Sequence, residues 1–495
     1  MSTPNYGGQP GPNGQFQGQV PQPGAYNPQY QGQAPQPGAY NPQYQGQVPQ
    51  QGAKKSRGKM AAIISVIVVA VLVVIGGGAF ALTRFLPGAG GFATPNALAN
   101  SISSAFDSNK LTSLAPALAP SELKAATSWQ KDYKANGKAD WSKLVSPEAL
   151  ADYIGQIDIS KSTIEQTVDE KSDNLSIITI TKWEGEVTVK PELADKIREH
   201  YEKAKGDKLT ANESKVFDDF KREIEKKSTF SGNILRQLLD QDELRFVSVK
   251  EDGKWYISPA MTMAEQMYPT STVTPNYGAD FTNVEGAKSP EEAVSGMVNA
   301  LRNGAGMGDK DFYRYLDLPE RRIAAVYGSS GTGTNIGADI QVNWGLTSTK
   351  VTDGAIVGFG TTSITFDGNY KVEFNNDTVT YSYPDSGSSY NSRNTSSKTQ
   401  SQTVRFTEGL VNPERLGVFT VQDNTGWHVS FIRTVGNLNL LEATDAAVNE
   451  AVNGMSGFAG SSADVSADEM RDMATTNKPV GAMLVIVWNF MKSSN

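Results

Sequence analysis

The sequence predicts an α+β protein with a disordered tail, one transmembrane helix and two tandem domains, each built from helices followed by a curved antiparallel sheet. Three observations carry this expectation. Residues 60–82 form an uncharged run of 23 residues rich in Val, Ile and Ala. Residues 1–53 contain no Asp, Glu, Lys or Arg and are mostly Gln, Gly, Pro, Asn and Tyr. The rest of the chain passes twice through the same order of signals: a helix, a proline turn, alternating strands and a last hairpin ending in tryptophan.

The tail comes first. VPQPGAYNPQYQGQ (20–33) is followed directly by APQPGAYNPQYQGQ (34–47), a 14-residue repeat. Proline and glycine at this density interrupt helix and sheet alike, and few apolar groups offset the entropy of ordering, so residues 1–53 are expected to be disordered. Tyr26, Tyr30, Tyr40 and Tyr44 recur with the repeat. They read either as contacts for a cytoplasmic partner or for self-association, or as part of a solvated spacer.

The apolar run is next. At about 1.5 Å per residue, a helix over this run crosses the roughly 30 Å hydrocarbon layer, and the transmembrane segment is placed at 60–84. Lys54, Lys55, Arg57 and Lys59 form a basic stop at 54–59, whereas only Arg84 follows closely. The positive-inside rule then puts the N-terminus in the cytoplasm and the C-terminal domains outside, as a single-pass signal-anchor protein of the cell membrane. Ala79-Phe80-Ala81 has the small-x-small form of a cleavage site, but the 59-residue leader and the 23-residue run are both too long for a cleaved signal peptide.

Composition narrows the function classes. The 495 residues carry a net charge of −8, and five of the 45 basic residues flank the apolar run. Beyond Arg84, 40 Lys and Arg therefore face 53 Asp and Glu, a net of −13. Such a surface repels nucleic acid and anionic lipid head groups. There is no cysteine. A large exterior without disulfides fits a bacterial envelope protein, and thiol nucleophiles, zinc-thiolate sites and iron–sulfur clusters are excluded.

After a linker at 85–95, the first domain is expected over 96–270 and the second over 287–445, joined by a linker at 271–286. Ser289-Pro290-Glu291-Glu292 gives the second a strong helix start, with an N-cap hydroxyl, proline at the first position and a glutamate placed for a capping box. The proline turns that follow are Leu118-Ala119-Pro120-Ser121-Glu122 and Leu316-Asp317-Leu318-Pro319-Glu320. Strands are expected near 163–168 and 175–183 in the first domain, and at 339–344, 356–366, 370–374, 378–383 and 403–406 in the second. The last hairpins are LRFVSVK (244–250), turning at Asp252-Gly253 into Trp255, and RLGVFTVQ (415–422), turning near Gly426 into Trp427. Gly253 and Gly426 supply the positive φ that tight hairpins need. Trp255 and Trp427 are expected to be mostly buried.

This order of elements, with DGKWYIS (252–258) followed by a helix, resembles the nuclear-transport-factor-2-like, or cystatin-like, fold. That resemblance implies a curved sheet wrapped around N-terminal helices, here in tandem on a bacterial single-pass membrane protein. It covers roughly residues 96–268 and 287–443 and carries no active site with it.

Two insertions are expected. Of the 38 residues at 190–227, 21 are charged, with apolar stripes at Leu193, Ile197 and Tyr201 and at Val216, Phe217, Phe220 and Ile224. They predict a solvated helical hairpin, with a partner-docking arm as the alternative. Residues 386–401 form a Ser-rich loop. The C-terminal extension, 446–495, ends in the apolar run 480–488, read as core or as an interfacial contact.

Three constellations invite an enzymatic reading. Ser121-Glu122-Leu123-Lys124 and Ser172-Asp173-Asn174 imitate the SxxK and SDN elements of penicillin-binding proteins, but the third element is only Lys398-Thr399-Gln400. Gly331-Thr332-Gly333-Thr334-Asn335-Ile336-Gly337 has the wrong spacing for a dinucleotide loop and is followed by a strand pattern. His200 and His428 are the two histidines, neither at ligand spacing. His200 is expected to be solvated, and His428 to point away from Trp427.

The sequence therefore predicts a non-enzymatic, membrane-anchored envelope protein. It would bind or scaffold an envelope protein, glycan or lipid and link it to the cytoplasmic tail, without cofactor, metal or nucleic acid. The alternatives are an accessory subunit of a transport, secretion or cell-wall synthesis complex, and a cell-wall enzyme.

Overall fold

A hydroxyl cap followed by proline starts the first half. In the computed structural model, Thr94 Oγ1 accepts from the Ala97 N–H at 3.1 Å and Pro95 opens α1 (Pro95–Asp107), where its missing N–H is not needed. The structure describes residues 90–127, 143–144, 146–206, 208–267, 273–331, 340–384, 399–459 and 466–493. Helices α2 (Pro120–Thr127) and α3 (Pro147–Ile154) follow, then the long antiparallel pair β1 (Ile157–Ser172) and β2 (Leu175–Val189). Breaks in register at Ser160/Thr163, Glu165/Gln166 and Glu170/Ser172 bend this ribbon, as bulges do. Helices α4 (Glu192–Lys205) and α5 (Ala211–Lys226) stand next, α5 opened by the Thr210–Glu213 capping box. β3 (Thr229–Asn233) and β4 (Leu244–Glu251) both pair with β2, and β5 (Lys254–Ile257) pairs with β4. The β4–β5 turn holds Asp252 at φ 47° and Gly253 at φ 79°, the left-handed pair of a tight hairpin. α6 (Pro259–Met267) ends this half.

The second half repeats the plan. Ser289 Oγ caps α7 (Pro290–Arg302), accepting from the Glu292 N–H at 3.1 Å, and α8 (Lys310–Tyr313) and α9 (Leu318–Tyr327) follow. The strands are β6 (Ile340–Asn343), β7 (Thr347–Val351), β8 (Gly354–Gly358), β9 (Ser363–Phe366), β10 (Tyr370–Asn375), β11 (Thr378–Pro384), β12 (Thr399–Arg405), β13 (Val418–Asp423) and β14 (Gly426–Val429). The core sheet runs β14-β13-β8-β7 and is followed by α10 (Phe431–Leu438). The same isolated bridges tie both halves: Phe92 to Trp255 and Leu118 to Ile257, then Ala287 to Trp427 and Leu316 to Val429. Each half is thus α+β, with its opening helix stapled to its tryptophan strand.

The insertions fall at one point of the plan. Between the second and third core strands, the first half carries α4, α5 and β3, and the second carries β9 to β12. These four strands and β6 form a second sheet in the order β12-β11-β10-β9-β6. Residues 356–366, expected as one strand, are two: Gly360, at φ 53°, lets the chain leave the core sheet and enter the second sheet.

The halves share a core. β2 and β4 turn Leu175, Ile177, Val247 and Val249 into the same apolar cluster as Phe281, Met297 and Val326. Each such side chain contributes about 1.5–3 kcal/mol when fully buried. Phe281 and Val284, in the strap between the halves, are each 1% exposed. Around this core α6 packs on α9, α10 packs on α2, and α2 touches α9, so equivalent helices exchange partners about an approximate two-fold axis. The C-terminal helices α11 (Asp445–Ala459), α12 (Ala467–Thr476) and α13 (Lys478–Ser493) form their own apolar cluster. The run 480–488 lies in α13, with Ala482 and Val485 buried in that cluster.

The membrane expectation is not supported. Among the described residues no helix is long and apolar enough to cross a membrane. The longest described helices have 16 residues, about 24 Å at 1.5 Å per residue, short of the roughly 30 Å needed. The transmembrane helix, the signal anchor, the N-terminus in the cytoplasm and the cell-membrane location with extracellular C-terminal domains are therefore withdrawn. They rested on local hydropathy at 60–84 and on Lys54, Lys55, Arg57 and Lys59. Those residues, and the tail with Tyr26, Tyr30, Tyr40 and Tyr44, lie outside the described residues.

Candidate functional site

The second half carries a polar cleft of about 850 Å³ between α7 and α8, within the 300–1,000 Å³ range of small-ligand sites. α7 supplies Glu292, Ser295 and Asn299 from one face, and the α8 turn supplies Lys310, Asp311 and Arg314. The wall beside α8 is made by two interlocked loops. A Cβ at Gly306 would lie 2.2 Å from the Ser329 carbonyl, and one at Gly331 2.0 Å from the Gly304 carbonyl, so the backbones touch only because side chains are missing. Asp309 Oδ2 ties them together, accepting from the Gly306 N–H at 2.7 Å and the Gly331 N–H at 2.8 Å. These two donors hold the Asp309 carboxyl below the usual carboxylate range. The glycine stretch from 331 is thus the start of a structural clasp at its one described residue.

Two cations face the cleft with little to hold them. The Lys310 side chain makes no hydrogen bond or ion pair among the described residues, and Arg314 donates only Nε–H, to the Glu285 carbonyl at 3.1 Å. The Arg314 guanidinium lies 5.3 Å from the Tyr315 ring centre. Tyr315 rests on Gly296 of α7, where a Cβ would come within 2.4 Å of Tyr315 Cζ.

Behind the cleft lies His428, fully buried. Its Nδ1 sits 3.0 Å from the Arg314 carbonyl oxygen, and Nε2 2.9 Å from Thr425 Oγ1 and 3.1 Å from Asp423 Oδ1. Arg321, also buried, places Nη2 3.0 Å and 3.2 Å from the two ring nitrogens. Burial pushes the Asp423 carboxyl up, but hydrogen bonds from His428 and Thr425 outweigh it and hold it far below the usual range. The cluster fixes the Arg314 carbonyl and hence the cleft wall.

The remaining sequence-selected residues are dispersed. Trp255 is 5% exposed, whereas Trp427 is only half-buried. Gly426, at φ 139°, has no room for a Cβ, which would meet the Ala287 carbonyl at 2.7 Å. Ser121 Oγ donates to Glu251 Oε1 at 2.7 Å and accepts from Arg322 at 3.1 Å, while Lys124 is exposed. That pairing serves the seam between the halves. Ser172-Asp173-Asn174 is the β1–β2 turn. His200 is buried at 2% exposure, 2.9 Å from Asp152 Oδ2, because α4 lays this face on α3. Among the described residues no group of three or more His, Cys, Asp or Glu is placed to hold a metal.

Sequence reasoning missed a repeated buried carboxylate. Glu122 accepts from Ser258 Oγ and from the Ala260 N–H at 2.9 Å; Glu320 accepts from Ser430 Oγ at 3.1 Å and the Ile432 N–H at 2.8 Å. Each staples a proline-turn helix to the start of the last helix in its half. Burial and the neighbouring Asp317 push Glu320 up to about 7. The signal was present as a glutamate at the same place in both proline turns, facing a serine after each tryptophan strand.

Compared with known proteins, the chain matches no family model, and no curated protein and no solved structure shows significant similarity to it.

Proposed function

We propose that the chain is a non-enzymatic binding scaffold: two nuclear-transport-factor-2-like halves locked face to face, with a small-ligand cleft on the second. The observation that carries this reading is the cleft between α7 and α8, lined by Lys310, whose amine has no partner among the described residues, and by Arg314, held there through its Nε–H alone. A cation pair of this kind suits a ligand bearing a carboxylate or phosphate. The rest of the fold supports the reading by rigidity, since the buried His428 cluster and the glycine clasp fix the α8 wall.

Thermal-shift titration of the full chain with inorganic phosphate, sugar phosphates, amino acids and dipeptides tests it. At least one of these raises the melting temperature with saturation, and the shift falls away in K310A/R314A. Absence of any shift across the panel would refute the reading. So would conversion of a bound compound to product in the same samples.

A further inference from the structure

The second sheet separates its side chains by character. Along β10, Lys371, Glu373 and Asn375 point one way, and Tyr370, Val372 and Phe374 the other. The antiparallel register extends that division across all five strands. Thr365, Glu373, Thr380, Ser401 and Arg405 share the polar face, whereas the opposite face bears no charged residue on any strand.

That uncharged face is ordered in cross-strand rows. The first holds Ile340, Phe366 and Tyr370, continued in the same register by Tyr383 and Gln400. The second holds Val342, Ile364, Val372, Tyr381 and Gln402. The third, Phe374, Val379 and Val404, is covered by Phe406 and by Phe490 of α13, and the same cover reaches Val372 and Tyr381 of the second row, where the Phe490 ring centre lies 6.3 Å from that of Tyr381. No described element buries the first row: Tyr370 is 52% and Tyr383 39% exposed, and Phe366 is only partly buried. An apolar sheet face is ordinarily packed on a core; here the cover stops one row short of the aromatic row.

We propose that this open face binds a neutral glycan chain, a site separate from the cleft and sharing no lining residue with it. Phe366, Tyr370 and Tyr383 lie side by side on three adjacent strands, a platform about 10 Å across. Aromatic rings of this kind pack on the C–H faces of sugar rings. The hydroxyls of Tyr370, Tyr381 and Tyr383 and the amides of Gln400 and Gln402 offer both donors and acceptors to sugar hydroxyls. An acidic or basic polymer finds no counter-charge on the face. A purely apolar protein surface would bury those hydroxyls and amides without partners.

The test is affinity electrophoresis of the full chain in native gels cast with dextran, mannan or hydroxyethylcellulose, with polygalacturonate as the charged control. At least one neutral polymer retards the chain and the polyuronate does not. Removing the two exposed rings in Y370A/Y383A weakens retardation by about tenfold per ring, while Y370F/Y383F keeps most of it. If Y370A/Y383A fails to fold, Q400A/Q402A replaces it and also weakens retardation. The proposal is overturned if no neutral polymer retards the chain, or if retardation is unchanged in the Ala variants. It is equally overturned if sedimentation shows a dimer that the Ala variants dissolve, which assigns the face to a second copy.

Discussion

Replacing Arg322 with Met tests how the two halves are joined. Arg322 is 1% exposed and belongs to the second half, yet its Nη1 donates to Glu251 Oε1 at 2.7 Å and to Ser121 Oγ at 3.1 Å in the first. The change leaves the Glu251 carboxylate, itself 10% exposed, with Ser121 as its near partner. Breaking a buried pair in this way costs about 3–5 kcal/mol. The lower end applies here, because Arg322 Nε is already buried without an acceptor and the Met side chain relieves that cost. The assay is urea unfolding followed by fluorescence, since Trp183 and Trp255 report on the first half and Trp344 and Trp427 on the second. R322M lowers stability by about 3 kcal/mol and separates one transition into two, while R322M/E251Q recovers part of the loss because no unpaired charge remains. A loss under about 1 kcal/mol with a single transition retained would show that apolar contacts alone couple the halves.

Three further outcomes are expected. Glu320 is raised from its ordinary 4.5 to about 7 by burial and by Asp317, so the folded state holds its proton more tightly than the unfolded chain; this stabilisation is full below about pH 4.5 and is lost as pH rises through about 7. Unfolding measured from pH 4 to 9 shows that decline, and E320Q flattens it. Truncating Trp255 to Ala costs about 3–5 kcal/mol and Trp427 to Ala about 2 kcal/mol, because the second ring is only half-buried; equal losses in thermal melts would contradict the packing described. Gly331→Ala drives a Cβ against the Gly304 carbonyl and costs about 1–3 kcal/mol, with loss of the cleft-ligand shift; an unchanged melt would remove the clasp.

The duplicated plan was legible where local chemistry decides it. Ser289-Pro290 fixes a helix start, Asp252-Gly253 fixes a turn, and Thr210–Glu213 caps α5 as its sequence requires. What escaped were features made by contacts distant in sequence. His200 sits among charged neighbours and reads as solvated, yet α3, some 50 residues earlier, buries it. The break at Gly360 is invisible inside an apolar alternation that both sheets share. The cleft was not legible at all, because the two loops of its α8 wall are joined by Asp309 and by glycines whose role is to be absent from each other's way. Hydropathy at 60–84 could be read only locally, and that stretch lies outside the described residues.

The symmetry between the halves is broken at one pair of positions. Glu251 and Asp423 stand at the same place, near the end of the third core strand, and Lys124 and Arg322 at the same place in the proline-turn helix. Only Glu251 reaches across, to Arg322; Asp423 is held at home by His428 and approached by Arg321 at 3.9 Å. A copy of the second half meeting its own kind would therefore bring Arg322 to a carboxylate already taken, and two first halves would bring Lys124 to Glu251 with a flexible amine in place of a buried fork. Self-pairing is disfavoured in both directions, and the strap carrying Phe281 and Val284 keeps the correct partner always within reach. Two halves built on one plan can in this way fold beside copies of themselves on neighbouring chains without trading places.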